Sequence, residues 1–255
     1  MDELIRIVSR LRAEDGCPWD KIQTSKSMKR CLVEECGEFL DALEEQDEAG
    51  MREELGDLLL QVLFHAQIAA EDCRFSFEDV VREECEKLLR RHPHVFGTVH
   101  AKNSEDALKA WEKSKACEPE KKASRLSGID GVPRSMPGLA RAQKTLIKAS
   151  RHGFEWRSIE AAIAKVDEEW KEVREAIAND DSDAVEEELG DLLMAIVNLC
   201  RWRKIEAEEA MHSSIKKFIR RYKAMEDFAF KDGSALDDLT VEKLMILWDR
   251  VKQDE

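Results

Sequence analysis

Four acidic residues in the second half of the chain have the types and spacing of a divalent-cation site. Glu169 and Glu172 lie three residues apart, and so do Glu188 and Asp191 in the following segment. Residues three apart on an α-helix share a face. Crowded carboxylates repel one another, and a hard cation that prefers oxygen ligands removes the repulsion. Because the set contains no imidazole or thiolate, it favours Mg²⁺ or Mn²⁺ over zinc.

Two predicted helices must bring these acids together. Apolar residues recur at spacings of three and four over 159–178 and again over 184–203, and NDDSD at 179–183 predicts the turn between them. Ser158 and Asp183 are the predicted helix N-caps. Counted from the middle of the turn, the acids on the two helices lie at similar distances. An antiparallel hairpin therefore places all four carboxylates at nearly one level.

The whole acid set occurs twice. Its first copy, 134 residues earlier in the chain, consists of Glu35, Glu38, Glu54 and Asp57. The repeat extends outward, since GCPWD corresponds to GFEW, and KLLRRH at 87–92 corresponds to KFIRRY at 217–222. A single acidic run is usually a solvated helix face. Repetition of the complete set, interleaved with the apolar face of its helix, favours a functional site.

The repeat also sets the expected architecture. No segment alternates as a β-strand would, so the sequence predicts an all-α fold of two homologous helical-bundle modules in tandem, at 1–116 and 138–255. The stretch between them, 117–137, contains three of the five prolines and is the predicted linker.

Composition and charge exclude several classes of protein. The formal net charge of −14 opposes binding to duplex nucleic acid and to anionic membranes. No stretch has the length and apolar character of a membrane span, and the start of the chain does not resemble a signal peptide. The seven cysteines include no CxxC pair, which is typical of free thiols in a reducing compartment. We therefore expect a cytoplasmic protein that binds neither nucleic acid nor membranes.

The combination of EExxE with ExxD on an antiparallel helical pair resembles the MazG family of nucleoside triphosphate pyrophosphohydrolases. The resemblance covers nearly the whole chain, including its tandem arrangement. It includes the segments GCPWD, EELGDLLLQVLFHAQIA, RRHPHVFG, RAQK and WDRVK.

This resemblance implies Mg²⁺-dependent hydrolysis of nucleoside triphosphates between the α and β phosphates. By the same resemblance, the implied metal ligands are Glu169, Glu172, Glu188 and Asp191. The implied nucleotide contacts are Lys165, Lys217, Arg221 and Trp248. Metal and basic side chains would neutralise phosphate charge while a water attacks the α phosphorus. Glu168, beside the ligands, is the candidate for orienting that water. Glu187 is the alternative, and we group it with the residues that line the cofactor site.

The residues around the acids indicate which copy is catalytic. The two copies differ at three corresponding pairs of positions: Cys31 and Lys165, Phe64 and Asn198, and Gln67 and Arg201. Only the second copy has groups there that can hold phosphate strongly. In tandem members of the family the second domain resembles the active one and the first contributes mainly to dimerisation. We therefore expect a homodimer whose C-terminal module is catalytic.

Two other functions are compatible with acidic helical bundles. Di-iron oxidases of the ferritin type need two ExxH motifs, and the chain has only one, formed by Glu209 and His212. A non-catalytic dimeric scaffold with a structural metal is the second alternative, chiefly for the first copy. The sequence leaves the physiological nucleotide and the base preference open.

Overall fold

The structure is a computed structural model that describes residues 1–118 and 127–253. The chain divides into two units, Met1–Lys122 and Ala123–Glu255. All regular secondary structure within the described residues is helical, which confirms the predicted all-α class. Residues 119–126, the middle of the predicted linker, lie outside the described residues, and so does the end of the second predicted module, 254–255.

The N-terminal unit contains seven described helices. They are α1 (Asp2–Arg12), α2 (Pro18–Lys21), α3 (Lys29–Glu45), α4 (Glu48–Glu71), α5 (Phe77–Arg91), α6 (Pro93–Phe96) and α7 (Ser104–Ala116). The hairpin of α3 and α4 is its main feature, and α1 packs on α4. The buried core comprises Val8, Met28, Leu63, Phe64 and Ile68.

The C-terminal unit repeats the hairpin with its own packing helices. The described helices are α8 (Gly138–Arg151), α9 (Ile159–Ala178), α10 (Ser182–Trp202), α11 (Ala207–Lys231) and α12 (Val241–Gln253), with a short 3₁₀ turn at Leu236–Asp238. α9 and α10 form the hairpin, and α8 packs on α10. A buried cluster of Leu146, Val197 and Ala207 lies beside Trp156 and Cys200.

The caps of the second hairpin follow the sequence prediction at one end only. The Ser158 hydroxyl accepts a hydrogen bond from the Ala161 amide, as predicted for the start of α9. The prediction of Asp183 as the second cap was wrong. The Asp181 carboxylate accepts from the Ala184 amide, so α10 begins at Ser182, two residues before the predicted start. Asp181 is favoured because the chain reverses direction immediately before it.

The turns of the two hairpins are themselves repeated. Gln46 and Asp180 occupy corresponding positions and both adopt the left-handed conformation, with φ of 57° and 54°. Each is followed by an aspartate that caps the next helix, Asp47 in the first hairpin and Asp181 in the second. Because the turn sets how the two helices align, the shared geometry allows the acids of both hairpins to converge in the same way.

Candidate functional site

Three acids converge between the two helices of the C-terminal hairpin. One carboxylate oxygen from each of Glu169, Glu172 and Glu188 lies within 4.8 Å of the others. Glu169 is only 5% exposed, while Glu172 and Glu188 are half-buried. Three oxygen donors this close are suited to a hard divalent cation.

Asp191, the fourth predicted ligand, does not belong to this group. It is exposed and lies one helical turn further along α10 than Glu188. Its charge nevertheless raises the pKa of Glu188, so it contributes to the same electrostatic environment. The structure therefore brings together three of the four predicted ligands and places the fourth at the edge of the group.

The electrostatics of the acid group favour a cation. Desolvation raises the pKa of Glu172, and the neighbouring carboxylates of Glu169 and Glu188 raise it further. Desolvation is also the largest cause of the raised pKa of Glu188, followed by the charges of Glu169 and Asp191. Bound positive charge would offset both effects. The oxygen-only donor set and its mutual repulsion therefore fit Mg²⁺ or Mn²⁺.

A cationic side chain already contacts this group. The Lys165 ammonium lies 2.6 Å from a carboxylate oxygen of Glu169 and 2.8 Å from one of Glu168. These ion pairs raise the pKa of Lys165. The Glu168 side chain, predicted to orient water, is therefore ion-paired, although it remains 56% exposed. Glu187 is exposed and adds negative charge beside Glu188.

Two of the other predicted nucleotide contacts, Arg221 and Trp248, lie together where α11 and α12 pack. The Arg221 guanidinium lies 5.6 Å from the centre of the Trp248 ring. The Trp248 ring also lies 5.4 Å from the ring of Phe218, which is not among the predicted site residues. Lys217, next to Phe218, is exposed. Phe218 directly follows Lys217 in the sequence, and its aromatic ring is the feature that could have indicated it.

Arg201 has a different environment from the one expected of a phosphate ligand. Its guanidinium donates hydrogen bonds to the carboxylate of Glu155, at 2.5 Å, and to the amide oxygen of Asn198, at 2.9 Å. Asn198 is 2% exposed. These contacts tie the GFEW segment to α10. Glu155 was missed because it lies 46 residues from its partner, beyond the reach of helical periodicity.

The N-terminal hairpin contains a corresponding acid group without the lysine. Glu35, Glu38 and Glu54 converge within the same 4.8 Å limit. One oxygen of Glu54 is buried without a hydrogen-bond partner. Desolvation and the neighbouring acids raise the pKa of both Glu35 and Glu54. Cys31 occupies the position that corresponds to Lys165.

The ferritin-like alternative finds no matching cluster. Within residues 1–118 and 127–253, the groups that could hold a metal are the two carboxylate sets, and neither contains histidine. His212 of the single ExxH motif instead lies 4.0 Å from Glu208.

Of the helices in the described residues, none has both the length and the apolar character needed to cross a membrane.

Comparison with known proteins places this arrangement in a family. The MazG nucleotide pyrophosphohydrolase domain matches residues 23–96 and again residues 157–225. A nucleoside triphosphate pyrophosphohydrolase/pyrophosphatase MazG from Thermotoga maritima is 44% identical over 252 residues, covering 98% of this chain and 95% of that protein. A nucleoside triphosphate pyrophosphohydrolase from Escherichia coli is 42% identical over 260 aligned positions, covering 100% of this chain and 98% of that protein.

Each of the two family matches includes one acid hairpin, and the relatives are aligned along nearly their full length. The chain therefore belongs to the MazG nucleotide pyrophosphohydrolase family.

Proposed function

We propose that this protein is an enzyme that hydrolyses nucleoside triphosphates to the nucleoside monophosphate and pyrophosphate, using Mg²⁺ or Mn²⁺ in its C-terminal module. The observation that carries the proposal is the convergence of Glu169, Glu172 and Glu188 beside Lys165. Relatives that match along nearly their whole length are named nucleoside triphosphate pyrophosphohydrolases, which supports the same activity.

The proposed metal ligands are the three converging glutamates together with Asp191. When bound, Mg²⁺ supplies positive charge that polarises the phosphoryl oxygens and neutralises the departing pyrophosphate. The ligands come from two helices joined by a tightly capped turn, so their spacing is set before the ion arrives. This preorganisation lowers the cost of assembling the site.

The remaining site residues bind and orient the substrate. Lys165, Lys217 and Arg221 neutralise phosphate oxygens, and Trp248 stacks on the base. Water attacks the α phosphorus, a bond forms from its oxygen to phosphorus, and the bond to the oxygen bridging the α and β phosphates breaks. Pyrophosphate leaves with that oxygen. Glu168, or alternatively Glu187, orients the water and accepts its proton.

The N-terminal module has a structural role in this proposal. It has a corresponding group of converging acids, yet Cys31 cannot supply the cationic contact that Lys165 provides. We assign it to support and dimerisation of the enzyme. Apolar side chains exposed on the C-terminal hairpin also favour a homodimer, and they are Ile163, Trp170, Ile177, Leu189, Leu193 and Ile196. Light scattering after gel filtration tests the dimer.

The cellular setting follows from charge and thiol chemistry. The seven cysteines are all free, and the net charge is −14. We propose a cytoplasmic enzyme without nucleic-acid or membrane partners. Thiol titration of the protein purified under argon would test the reduced state.

The decisive experiment identifies the phosphate product. The protein is incubated with each of the common nucleoside triphosphates and Mg²⁺, and pyrophosphate and orthophosphate are assayed separately. The proposal requires pyrophosphate in equal amount to the monophosphate. In water labelled with ¹⁸O, the label should appear in the monophosphate. Release of orthophosphate alone would place attack at the γ position and contradict the mechanism.

A further inference from the structure

The Lys165 ammonium contacts Glu169, the least exposed residue of the C-terminal acid group. Glu169 is 5% exposed, and its carboxylate oxygen lies 2.6 Å from the Lys165 ammonium. Lys165 is one helical turn before Glu169 on α9, so the contact requires no change in the hairpin. The lysine side chain is 34% exposed and flexible, which leaves its ammonium a route to solvent.

The two modules provide a natural comparison, because their acids correspond while this cation does not. In the N-terminal module Cys31 replaces the lysine, and one oxygen of Glu54 is buried with no hydrogen-bond partner. The nearby Gln61 lowers the pKa of Glu35, but its amide is neutral and supplies no charge. The lysine is therefore the feature that separates an electrostatically compensated acid group from an uncompensated one.

We propose that the Lys165 ammonium acts as a stand-in for the divalent cation in the metal-free C-terminal module and competes with that cation for Glu169. Binding of the metal then displaces the ammonium from the acids, which makes it available to the triphosphate. This inference rests on the proposed function. In this inference the Lys165 ammonium contacts the carboxylates before the metal binds and the phosphates afterwards.

The physical basis is the competition of two positive charges for one oxygen ligand. A divalent ion on Glu169 repels an ammonium held less than 3 Å from the same carboxylate. The buried glutamate is held within the hairpin, whereas the long lysine side chain can rotate away. Hydrogen bonds to charged groups are also stronger than neutral ones, so phosphate oxygens offer the ammonium an alternative partner.

The test measures Mn²⁺ affinity without nucleotide, in full-length protein that carries Glu38→Gln and Glu54→Gln to remove the first acid group. In this background Lys165→Met should bind Mn²⁺ about tenfold more tightly, equivalent to about 1.4 kcal/mol. Lys165→Arg, which retains the charge, should bind as the parent does. Unchanged or weaker binding by Lys165→Met would overturn the inference.

The same variants separate competition from a purely structural role. Without metal, Lys165→Met should melt at a lower temperature than the parent, and Mn²⁺ should raise its melting temperature by more. Its KM for triphosphate should rise even though its metal affinity rises as well. A variant that had simply lost its local structure would bind both ligands less tightly, which would count against competition.

The reciprocal test places a lysine in the first module. In a background of Glu172→Gln and Glu188→Gln, Cys31→Lys should weaken Mn²⁺ binding to the N-terminal acids about tenfold. Equal or tighter binding would contradict the proposal.

Failure of this inference can be distinguished from failure of the proposed function. A parent protein that binds Mn²⁺ and releases pyrophosphate, combined with an unchanged affinity in Lys165→Met, overturns the inference alone. A parent that binds no Mn²⁺ at the second acid group overturns both.

Discussion

The Lys165 ammonium lies 2.6 Å from the Glu169 carboxylate, at a position where the other half of the chain has a cysteine. This ion pair makes the electrostatics of the two acid hairpins different, although their carboxylates correspond. The C-terminal group has one cation among its acids, and the N-terminal group has an unpartnered carboxylate oxygen on Glu54. The tandem repeat has therefore kept the arrangement of the carboxylates while changing the charge that accompanies them.

Neutralising acids in the C-terminal module should lower activity far more than the same changes in the N-terminal module. Glu172→Gln should reduce pyrophosphate release to background while leaving the fold intact, because it removes charge from a crowded group. The matched control Glu38→Gln should retain most of the activity. The same contrast is expected between Asp191→Asn and Asp57→Asn. Equal losses in the two modules would show that both are catalytic or that they share one site.

Divalent metal should stabilise the folded protein. Calorimetry in excess chelator and then with Mg²⁺ should show a higher melting temperature with the metal, because the ion binds the folded acid groups more tightly than the unfolded chain. The increase should become smaller as the pH falls through the raised pKa of Glu188, since protons then compete with the ion. An equal increase in a variant combining Glu54→Gln with Glu188→Gln would contradict this explanation.

Glu54→Gln should stabilise the metal-free protein at neutral pH. Desolvation and neighbouring acids raise the pKa of Glu54 above its ordinary value of 4.5, so the folded state retains the proton more strongly than the unfolded state does. The stability of the parent therefore falls as the pH rises from 4.5 through the raised pKa. The variant's advantage should appear above that window and vanish below it. Urea unfolding in chelator from acid to neutral pH measures the difference, and lower stability of the variant at neutral pH would contradict it.

The buried ion pair between Arg91 and Glu118 should contribute strongly to the stability of the N-terminal unit. The two side chains are 11% and 6% exposed and make two hydrogen bonds, at 2.8 and 2.9 Å. Glu118→Gln should lower the unfolding free energy by about 3–5 kcal/mol, because it removes the carboxylate that accepts from both Arg91 and Arg90 and leaves the buried Arg91 guanidinium without its hydrogen-bonded counter-charge.

The exposed pair of Glu105 and Lys109 provides the control for that measurement. Glu105→Gln should cost about 0–1 kcal/mol. Denaturant unfolding measures both variants, and similar losses would show that burial does not determine the strength of the Arg91 pair.

Trp248 should affect substrate binding more than turnover. Its ring centre lies 5.6 Å from the Arg221 guanidinium and 5.4 Å from the centre of the Phe218 ring, and we propose that it stacks on the base. Trp248→Ala should raise KM for nucleoside triphosphates about tenfold, since a stacked base contributes about 1–3 kcal/mol. Trp248→Phe retains an aromatic face and should raise KM much less. An equal KM for the alanine variant and the parent would place the base elsewhere.

The sequence by itself determined the helices and the facing of the acids. A spacing of three puts Glu169 and Glu172 on one helical face, and the repeated pattern predicts the same for Glu35 and Glu38. The Ser158 cap was equally predictable, because the hydrogen bond it accepts comes from an amide three residues away. These features depend on neighbours within one or two helical turns, and the chain specifies them directly.

Only the tertiary structure decided which charged groups from distant segments meet. Arg201 contacts Glu155 across 46 residues, and Arg91 contacts Glu118 across 27. The exclusion of Asp191 from the three converging acids likewise depends on how far α10 is rotated against α9. Helical periodicity gives the face of each residue but not the rotation and offset of one helix relative to another. Those two quantities follow from the packing of whole apolar surfaces, to which many residues contribute at once.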